Sequence, residues 1–485
     1  MRKKALALLL AISMTAAMTA GCGSSAGSGT DAQDVAEDAA ASDSAAGEND
    51  VPDAGNNAAG DIGAESAEDE SAEIPDEADA EKESDEEAAG AAADAADDGS
   101  SPSGSLTSAS IEDAPQLPGL TCESVLPLKY AECFNVYYYN DGFKLIDVPL
   151  SGMYLIVPEG ADVPEELEAY DSTGSKVAAS DLAAAGVTPS DADLTIIRQP
   201  LQNIYMAATG VMSFYDELGA LDSVTMTSLD ESGWTIDAPI KALQEGSMVF
   251  AGKYSTPDYE MLIDRACDLA LQSTMILHTP EVQEMEEDLG IPVFIDRSSY
   301  ELSALGRIEW IKLYGAMMNK EDVAEEKFKI QEDIVNSLQD FENTGKTVAF
   351  FSINSNREVV VRRTQDFIPR LIEEAGGKYV FDDLTNPGSN SASVQLNMET
   401  FYDAAVNADF LIYNGTIQEP LKSIDDLVAK DALFAEFKAV KEGNVWQVDS
   451  RWYQSTATVG SLITDLNAMI TGKDDTGLVF MTKLK

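Results

Sequence analysis

Basic side chains are scarce in this chain, with 31 Lys and Arg against 86 Asp and Glu, yet Arg357, Arg362, Arg363 and Arg370 fall in one short segment. Guanidinium forks suit carboxylates and catecholates, so an anionic chelate is a natural guest; salt bridges to the surrounding acids are the competing role. Trp452 and Tyr453 offer a flat apolar surface for a macrocycle or an aromatic chelate, and serve core packing equally well. Histidine is limited to His278. A receptor for bare zinc or manganese needs several His ligands with carboxylates, so direct capture of a naked ion is not expected. His278 precedes Thr279-Pro280 and reads as a helix-start residue rather than a haem or cobalt ligand.

A second pattern is acidic and occurs twice. TPDYEMLIDRACDLALQS, Thr256 to Ser273, sets Glu260 on a short amphipathic helix and Asp268 just before an apolar strand. LNMETFYDAAVNADFLIY, Leu396 to Tyr413, repeats this with Glu399 and Asp409, ten residues apart where the first copy has eight. Taken alone, both glutamates are ordinary exposed helix residues of an acidic protein.

Catalytic signatures are missing. NTGKT, Asn343 to Thr347, ends like a phosphate loop, but Asp340 stands where its first glycine belongs, so the segment reads as a turn entering a strand. No GxSxG falls between a strand and a helix and no metal-binding His pair occurs, so no enzyme activity is expected. The formal charge of −55 excludes nucleic acid as a partner, since phosphate backbones would be repelled.

The elements that must position these residues begin well inside the chain. Residues 1–22, MRKKALALLLAISMTAAMTAGC, combine a basic start, an apolar stretch and small residues before a cysteine, which is an export signal rather than a span. Its end, Ala20-Gly21-Cys22, resembles a bacterial lipoprotein signal, although Thr19 stands where an aliphatic residue is commoner. Cys22 is the expected lipidation site, and a lipid-anchored protein on the outer face of the cell membrane follows. Residues 23–118 hold 27 acids against one base, Lys82, in Ala, Ser and Gly, and are expected to form a disordered acidic linker.

The rest has an ordinary core composition. FNVYYYNDGFKLIDV, Phe134 to Val148, carries a hairpin signal at Asn140-Asp141-Gly142. LTIIRQP then reads as a buried strand, IYMAATGVMSFYDELGALD as a helix, and VTMTS, MVFAG, LALQS and IPVFID as further strands with helices between them. Residues 303–341 read as one long helix, after which the alternation restarts with TVAFFSIN and VVVRR. The expected fold class is therefore α/β, with two Rossmann-like lobes bridged by a single long α-helix. Its divisions are an N-terminal lobe with a leading β-hairpin at 119–302, an interlobe helix at 303–341 and a C-terminal lobe at 342–485. Cys122 and Cys133 are spaced for an exported disulfide, which stays open at this point; Cys267 reads as a buried thiol.

The order of IIRQP, LGALD, AGKYSTPDYEMLIDRACDLALQS, LGIPVFID, a long helix, FIPRLIEEAGG and VWQVDSRWYQ resembles the substrate-binding proteins of bacterial ABC importers for iron siderophores, haem and cobalamin. The resemblance covers about residues 194–472. It implies a ligand held between two lobes and no resident cofactor, the metal arriving as a chelate, with a ferric siderophore first in line and haem or cobalamin next. It also implies a monomer that docks on an ABC permease and ATPase complex through one glutamate per lobe, matching Glu260 and Glu399. Ligands of open α/β sheets sit beyond strand carboxyl ends. The ligand candidates are accordingly Arg198, Gln199, Lys253, Tyr254, Arg362, Arg363, Asn414, Trp452 and Tyr453. A ligand-sensing or adhesive surface lipoprotein reusing the same fold is the alternative.

Overall fold

A computed structural model describes residues 109–164, 176–177, 194–338, 343–364, 366–384, 393–416, 420–473 and 477–485. The export signal, Cys22 and the acidic linker up to residue 108 lie outside the described residues. Among those described, no helix is long and apolar enough to cross a membrane. Residues 109–118, assigned to the linker from composition, include a single 3₁₀ turn at Ile111–Asp113 and the buried Leu117.

The first folded layer is a six-stranded sheet rather than a lone hairpin. Its strands are β1 (Cys122–Val125), β2 (Asn135–Tyr139), β3 (Lys144–Val148), β4 (Gly152–Val157), β5 (Lys176–Val177) and β6 (Leu194–Arg198), in the order β1-β2-β3-β4-β6-β5. Only β4 and β6 run parallel. Asp141 and Gly142 take positive φ, 58° and 82°, which turns the chain from β2 into β3. Both faces of this sheet are covered. Val136, Ile146, Tyr154 and Ile197 face the main core, while Tyr137, Leu145, Leu155 and Ile196 form a second core with Leu117. Double coverage explains why β4, GMYLIV, is apolar without alternation.

The N-terminal lobe follows, with β7 (Ile204–Met206), α1 (Met212–Glu217), β8 (Val224–Thr227), α2 (Asp237–Glu245), β9 (Val249–Phe250), β10 (Gly252–Lys253), β11 (Thr256–Pro257), α3 (Tyr259–Asp264), β12 (Leu269–Ser273), α4 (Pro280–Asp288) and β13 (Val293–Asp296). Its sheet has the order β13-β12-β7-β8-β9, and every pairing is parallel. The winding reverses between β7 and β12, so a crevice opens beyond their carboxyl ends. IYM is thus the first strand of this lobe rather than the start of a helix, and LTIIR belongs to the preceding sheet.

The single bridging helix is instead a helical hairpin, α5 (Ala304–Met317) and α6 (Glu321–Asn336). Lys312 on α5 reaches Glu325 on α6 at 2.9 Å and lies over the Phe328 ring at 4.3 Å, so α6 folds back along α5. Two residues account for the break. Asn319 adopts φ 56°, which helical backbone excludes, and a Cβ on Gly315 would lie 2.5 Å from that of Ala324, so only glycine admits this crossing. Lys144 on β3 holds the turn, its ammonium donating to Ala316 O, Asn319 Oδ1 and Glu321 Oε1 at 2.7, 2.7 and 2.5 Å. Further down α5, the buried Glu309 accepts the backbone N–H groups of Lys129, Tyr130 and Ala131. The leading sheet and its β1–β2 connection therefore hold α5 at its middle and at its C-terminal end.

The C-terminal lobe comprises β14 (Thr347–Ile353), β15 (Val359–Arg362), α7 (Phe367–Glu374), β16 (Lys378–Tyr379), β17 (Ser393–Leu396), α8 (Met398–Ala405), β18 (Phe410–Asn414), α9 (Ile424–Lys430), α10 (Lys438–Glu442), β19 (Val445–Val448), α11 (Arg451–Gln454), α12 (Gly460–Thr471) and β20 (Met481–Lys483). The sheet order is β17-β15-β14-β18-β19-β20, with β16 also on β14. Strands β14, β18 and β19 are parallel, and β15 and β20 run against them.

Cys122, Cys133 and Cys267 are free thiols. Cys122 pairs opposite Tyr139 at the far end of β2, whereas Cys133 precedes the start of that strand. Six residues of extended chain, roughly 20 Å, keep the two sulfurs apart. Burial pushes the Cys267 thiol up to about 12.

Candidate functional site

The repeated acidic pattern occupies equivalent positions in the two lobes. Asp258 caps α3 by accepting Met261 N–H, and Asn397 caps α8 by accepting Thr400 N–H. Glu260 and Glu399 are each the second residue of the capped helix, exposed, where an acid also complements the helix dipole. The two extra residues of the second copy lie toward the end of α8, after Glu399, so the glutamates keep one register. The aspartates match as well. Asp268 Oδ2 accepts Gln202 and Asn203 N–H at the entry to β7, and Asp409 Oδ2 accepts Thr347 N–H at the entry to β14.

On the crevice side of the N-terminal sheet, the lobes touch through short loops. Gly210, four residues beyond β7, approaches α11 so closely that a Cβ there would meet Thr456 Oγ1 at 3.0 Å. Gln454 accepts from Thr235 N–H and Oγ1–H, at 2.7 and 2.8 Å, and donates to Gly233 O at 2.9 Å. Ala457 N–H donates to Ser213 Oγ at 3.1 Å.

Two arginines stand beside this junction. Arg362, buried at the end of β15, donates to Tyr453 Oη at 3.0 Å and to Ser393 Oγ at 3.2 Å. Arg307, in the first turn of α5, donates to Glu301 O and Ser299 O at 3.0 and 2.6 Å, and its guanidinium lies 3.7 Å from the Phe367 ring centre. Burial depresses Arg307 to about 10, although Asp366 works the other way. Burial also disfavours the Arg362 charge, but Tyr453 and Asp366 outweigh it and its pKa sits above the usual arginine value. Trp452 and Tyr453 stack with ring centres 4.1 Å apart. The indole N–H groups of the buried Trp234 and Trp452 have no hydrogen-bond partner among the described residues.

The junction thus gathers Arg362, Trp452 and Tyr453 from the sequence candidates. Lys253 is exposed on β10 and Tyr254 half-buried beside it, with Lys253 drawing Asp230 below its ordinary value behind that residue's own bonds to Ser232. Asn414 is buried at the end of β18, where its Oδ1 accepts from the Thr416 N–H and hydroxyl. Arg363 is half-buried next to Arg362. Arg198 and Gln199 are a correction: Arg198 ends β6 in the leading sheet and Gln199 follows it, so neither ends a strand of the lobe. Gln199 donates to Met317 O and accepts from Asn319 Nδ2, fastening the turn between α5 and α6.

Arg307 and Gln454 escaped a reading that took candidates only from strand ends in isolation. Arg307 did carry a signal, because a cation in a helix's first turn opposes the dipole and calls for a specific reason.

The family model described as periplasmic binding protein matches residues 214–452. An uncharacterized lipoprotein of Methanocaldococcus jannaschii is 24% identical over 362 residues, 71% of this chain and 81% of the relative. A second uncharacterized lipoprotein of that organism is 24% identical over 345 residues, 67% of this chain and 78% of the relative. Among solved structures, a periplasmic binding protein from Veillonella parvula is 17% identical, covers 59% of this chain and 96% of its own, and superposes with a TM-score of 0.47.

Proposed function

Since the chain belongs, through residues 214–452, to the periplasmic binding protein family, we propose that it is a lipid-anchored receptor that captures a metal chelate outside the cell membrane and delivers it to an ABC permease. The family is one of solute-binding proteins, not enzymes. Export and anchoring rest on the leader and Cys22, and lipoprotein relatives support them. A ferric siderophore is the favoured cargo and haem or cobalamin the next, each bringing its own metal ligands. The ligand is received between the lobes, beside Arg362, Trp452 and Tyr453, with Lys253, Tyr254, Arg363 and Asn414 as outer candidates.

The observation that carries this reading is the matched placement of Glu260 and Glu399, each exposed at the second position of an Asx-capped helix, one per lobe. Two equivalent carboxylates suit a two-part permease that offers cations to both. Glu260→Lys combined with Glu399→Lys is expected to abolish chelate uptake by cells while leaving the affinity of the purified protein within about twofold, as for surface charges remote from a binding site. Uptake that survives the double reversal would remove the docking assignment.

A further inference from the structure

One side chain spans the junction between the lobes. Gln454, the last residue of α11, uses both ends of its amide on a single loop of the N-terminal lobe: Oε1 accepts from the Thr235 N–H and hydroxyl at 2.7 and 2.8 Å, and Nε2 donates to Gly233 O at 2.9 Å. Nearby, Ala457 N–H donates across the same junction to Ser213 Oγ. The receiving loop is preset, since Asp230 Oδ1 accepts the Ser232 and Gly233 N–H groups and fixes the turn that presents Gly233 O. Side chains around this contact are shut away. Trp234, Arg362, Trp452 and Gln454 keep only 4, 7, 5 and 9% of their surface accessible, and a chelate large enough to fill a receptor cleft cannot touch groups so covered until the lobes part. The chemistry of the contact also differs from that of the fixed joints. Charged groups, Lys144 and Glu309, fasten α5 to the leading sheet and its β1–β2 connection, whereas the lobe contact is made by a neutral amide, a hydroxyl and backbone. Neutral bonds of this kind are exchanged for bonds to water at little net cost, so the contact can hold without locking.

We infer that Gln454 is a self-closing latch: in the free receptor its three bonds keep the junction shut, and cargo enters from the state in which they are broken. The inference rests on the receptor reading above and deepens it by naming a residue that regulates capture. When the binding-competent state is only partly populated, apparent affinity falls by the populated fraction. The latch therefore sets how readily cargo is captured, separately from the groups that recognise it.

The test compares the full mature chain with Gln454→Leu, which nearly keeps the side-chain volume and removes every bond. In the free variant, acrylamide should quench the tryptophans more strongly and Ala457 N–H should lose its protection from hydrogen exchange. Both proteins are then titrated with a ferric tris-catecholate, a ferric tris-hydroxamate, haem and cobalamin, following tryptophan fluorescence. Whichever of these binds the unaltered protein should bind the variant about threefold to thirtyfold more tightly, through faster association and an unchanged dissociation rate. Thr235→Val, from the opposite lobe, removes one of the three bonds and should give a smaller change of the same sign; combined with Gln454→Leu it should add nothing, as for two halves of one contact. Weaker or unchanged binding in Gln454→Leu, or additive effects of the two substitutions, would overturn the latch and leave the receptor reading standing. Failure of every chelate to bind the unaltered protein would remove the receptor reading, and exchange in the free variant then decides the latch alone: an Ala457 N–H that stays protected sinks it. Should Gln454→Leu fold poorly, Thr235→Val decides, and no gain in its association rate overturns the inference.

Discussion

The two lobes solve one construction problem with the same side chain and opposite electrostatics. In both, an aspartate just before a strand accepts backbone N–H groups at the entry to the central strand beside it. Burial dominates at Asp268 and raises its pKa, and Oδ1 has no partner. At Asp409 burial also acts upward, but Lys438 and Thr347 prevail and the pKa is lowered. One carboxylate oxygen thus suffices for the shared structural task. The other is free to diverge, and with it the lobe's response to pH.

That contrast can be broken most severely at the brace on the N-terminal side. Lys144→Met would leave Glu321, Asn319 and Ala316 O without their donor, at a cost of about 1.5 to 3 kcal/mol, since the partners are lost from a charged donor but Glu321 stays partly solvated. Urea unfolding should register the loss, and hydrogen exchange should show α5 and the leading sheet opening ahead of β14 and β18. Equal loss of protection in β14 and β18 would mean that the lobes are not separately braced.

Acid should act with opposite signs at Glu286 and Asp409. Glu286 on α4 is fully buried, accepts from Gln272 Nε2 at 2.8 Å, and has its pKa pushed up to about 8 by burial. Among the described residues, Glu286 Oε2 and Gln272 Oε1 both lack partners. Because the folded state holds this proton more tightly than the unfolded chain, stability is greatest below the unfolded value near 4.3 and declines as pH rises toward 8. Going from pH 8 to pH 5 should therefore stabilise the N-terminal lobe by about 1 to 3 kcal/mol. Asp409 has the opposite sign: its contribution is present above about pH 4 and is lost as pH falls through its depressed value. Thermal melts between pH 3 and 8 test both limbs, and Glu286→Gln should flatten only the upper one. A slope that persists in that variant would assign the effect elsewhere.

The smallest effect compares the aspartates directly. Asp409→Asn gives up a half-exposed ion pair with Lys438 and should cost about 1 kcal/mol after allowance for solvent screening. Asp268→Asn keeps an acceptor for Gln202 and Asn203 and removes a charge that burial disfavours, so its denaturation midpoint should stay unchanged or rise. Equal losses in the two variants would erase the distinction between the lobes.

Much of this architecture was legible because it is written locally. The alternation of apolar strands and amphipathic helices marks both lobes, and the repeated glutamate and aspartate mark the paired short helices. Helical periodicity, by contrast, passes unbroken through residues 304–336, so the reversal at Asn319 shows only in a glycine and an asparagine whose partners are remote in sequence. The parallel pairing of β4 with β6 is equally non-local, and it puts Arg198 in the leading sheet and Gln199 on the helical turn instead of in a crevice of the lobe. At the junction, residue type identified Arg362, Trp452 and Tyr453. Arg307 became visible only when the structure set its guanidinium on Phe367, 60 residues further along the chain.

The fastening of the α5–α6 turn by Lys144 and Gln199 has a mechanical consequence. A connector pinned at its bend acts as a splint, not a spring: torque applied to one lobe is carried into the leading sheet instead of being absorbed by unwinding Met318–Lys320. Relative rotation of the lobes must then be taken up elsewhere, as at the Gln454 contact across the junction. Fluorophores placed on the leading sheet and α5 would thus share one frame, against which any displacement of α8 is measured.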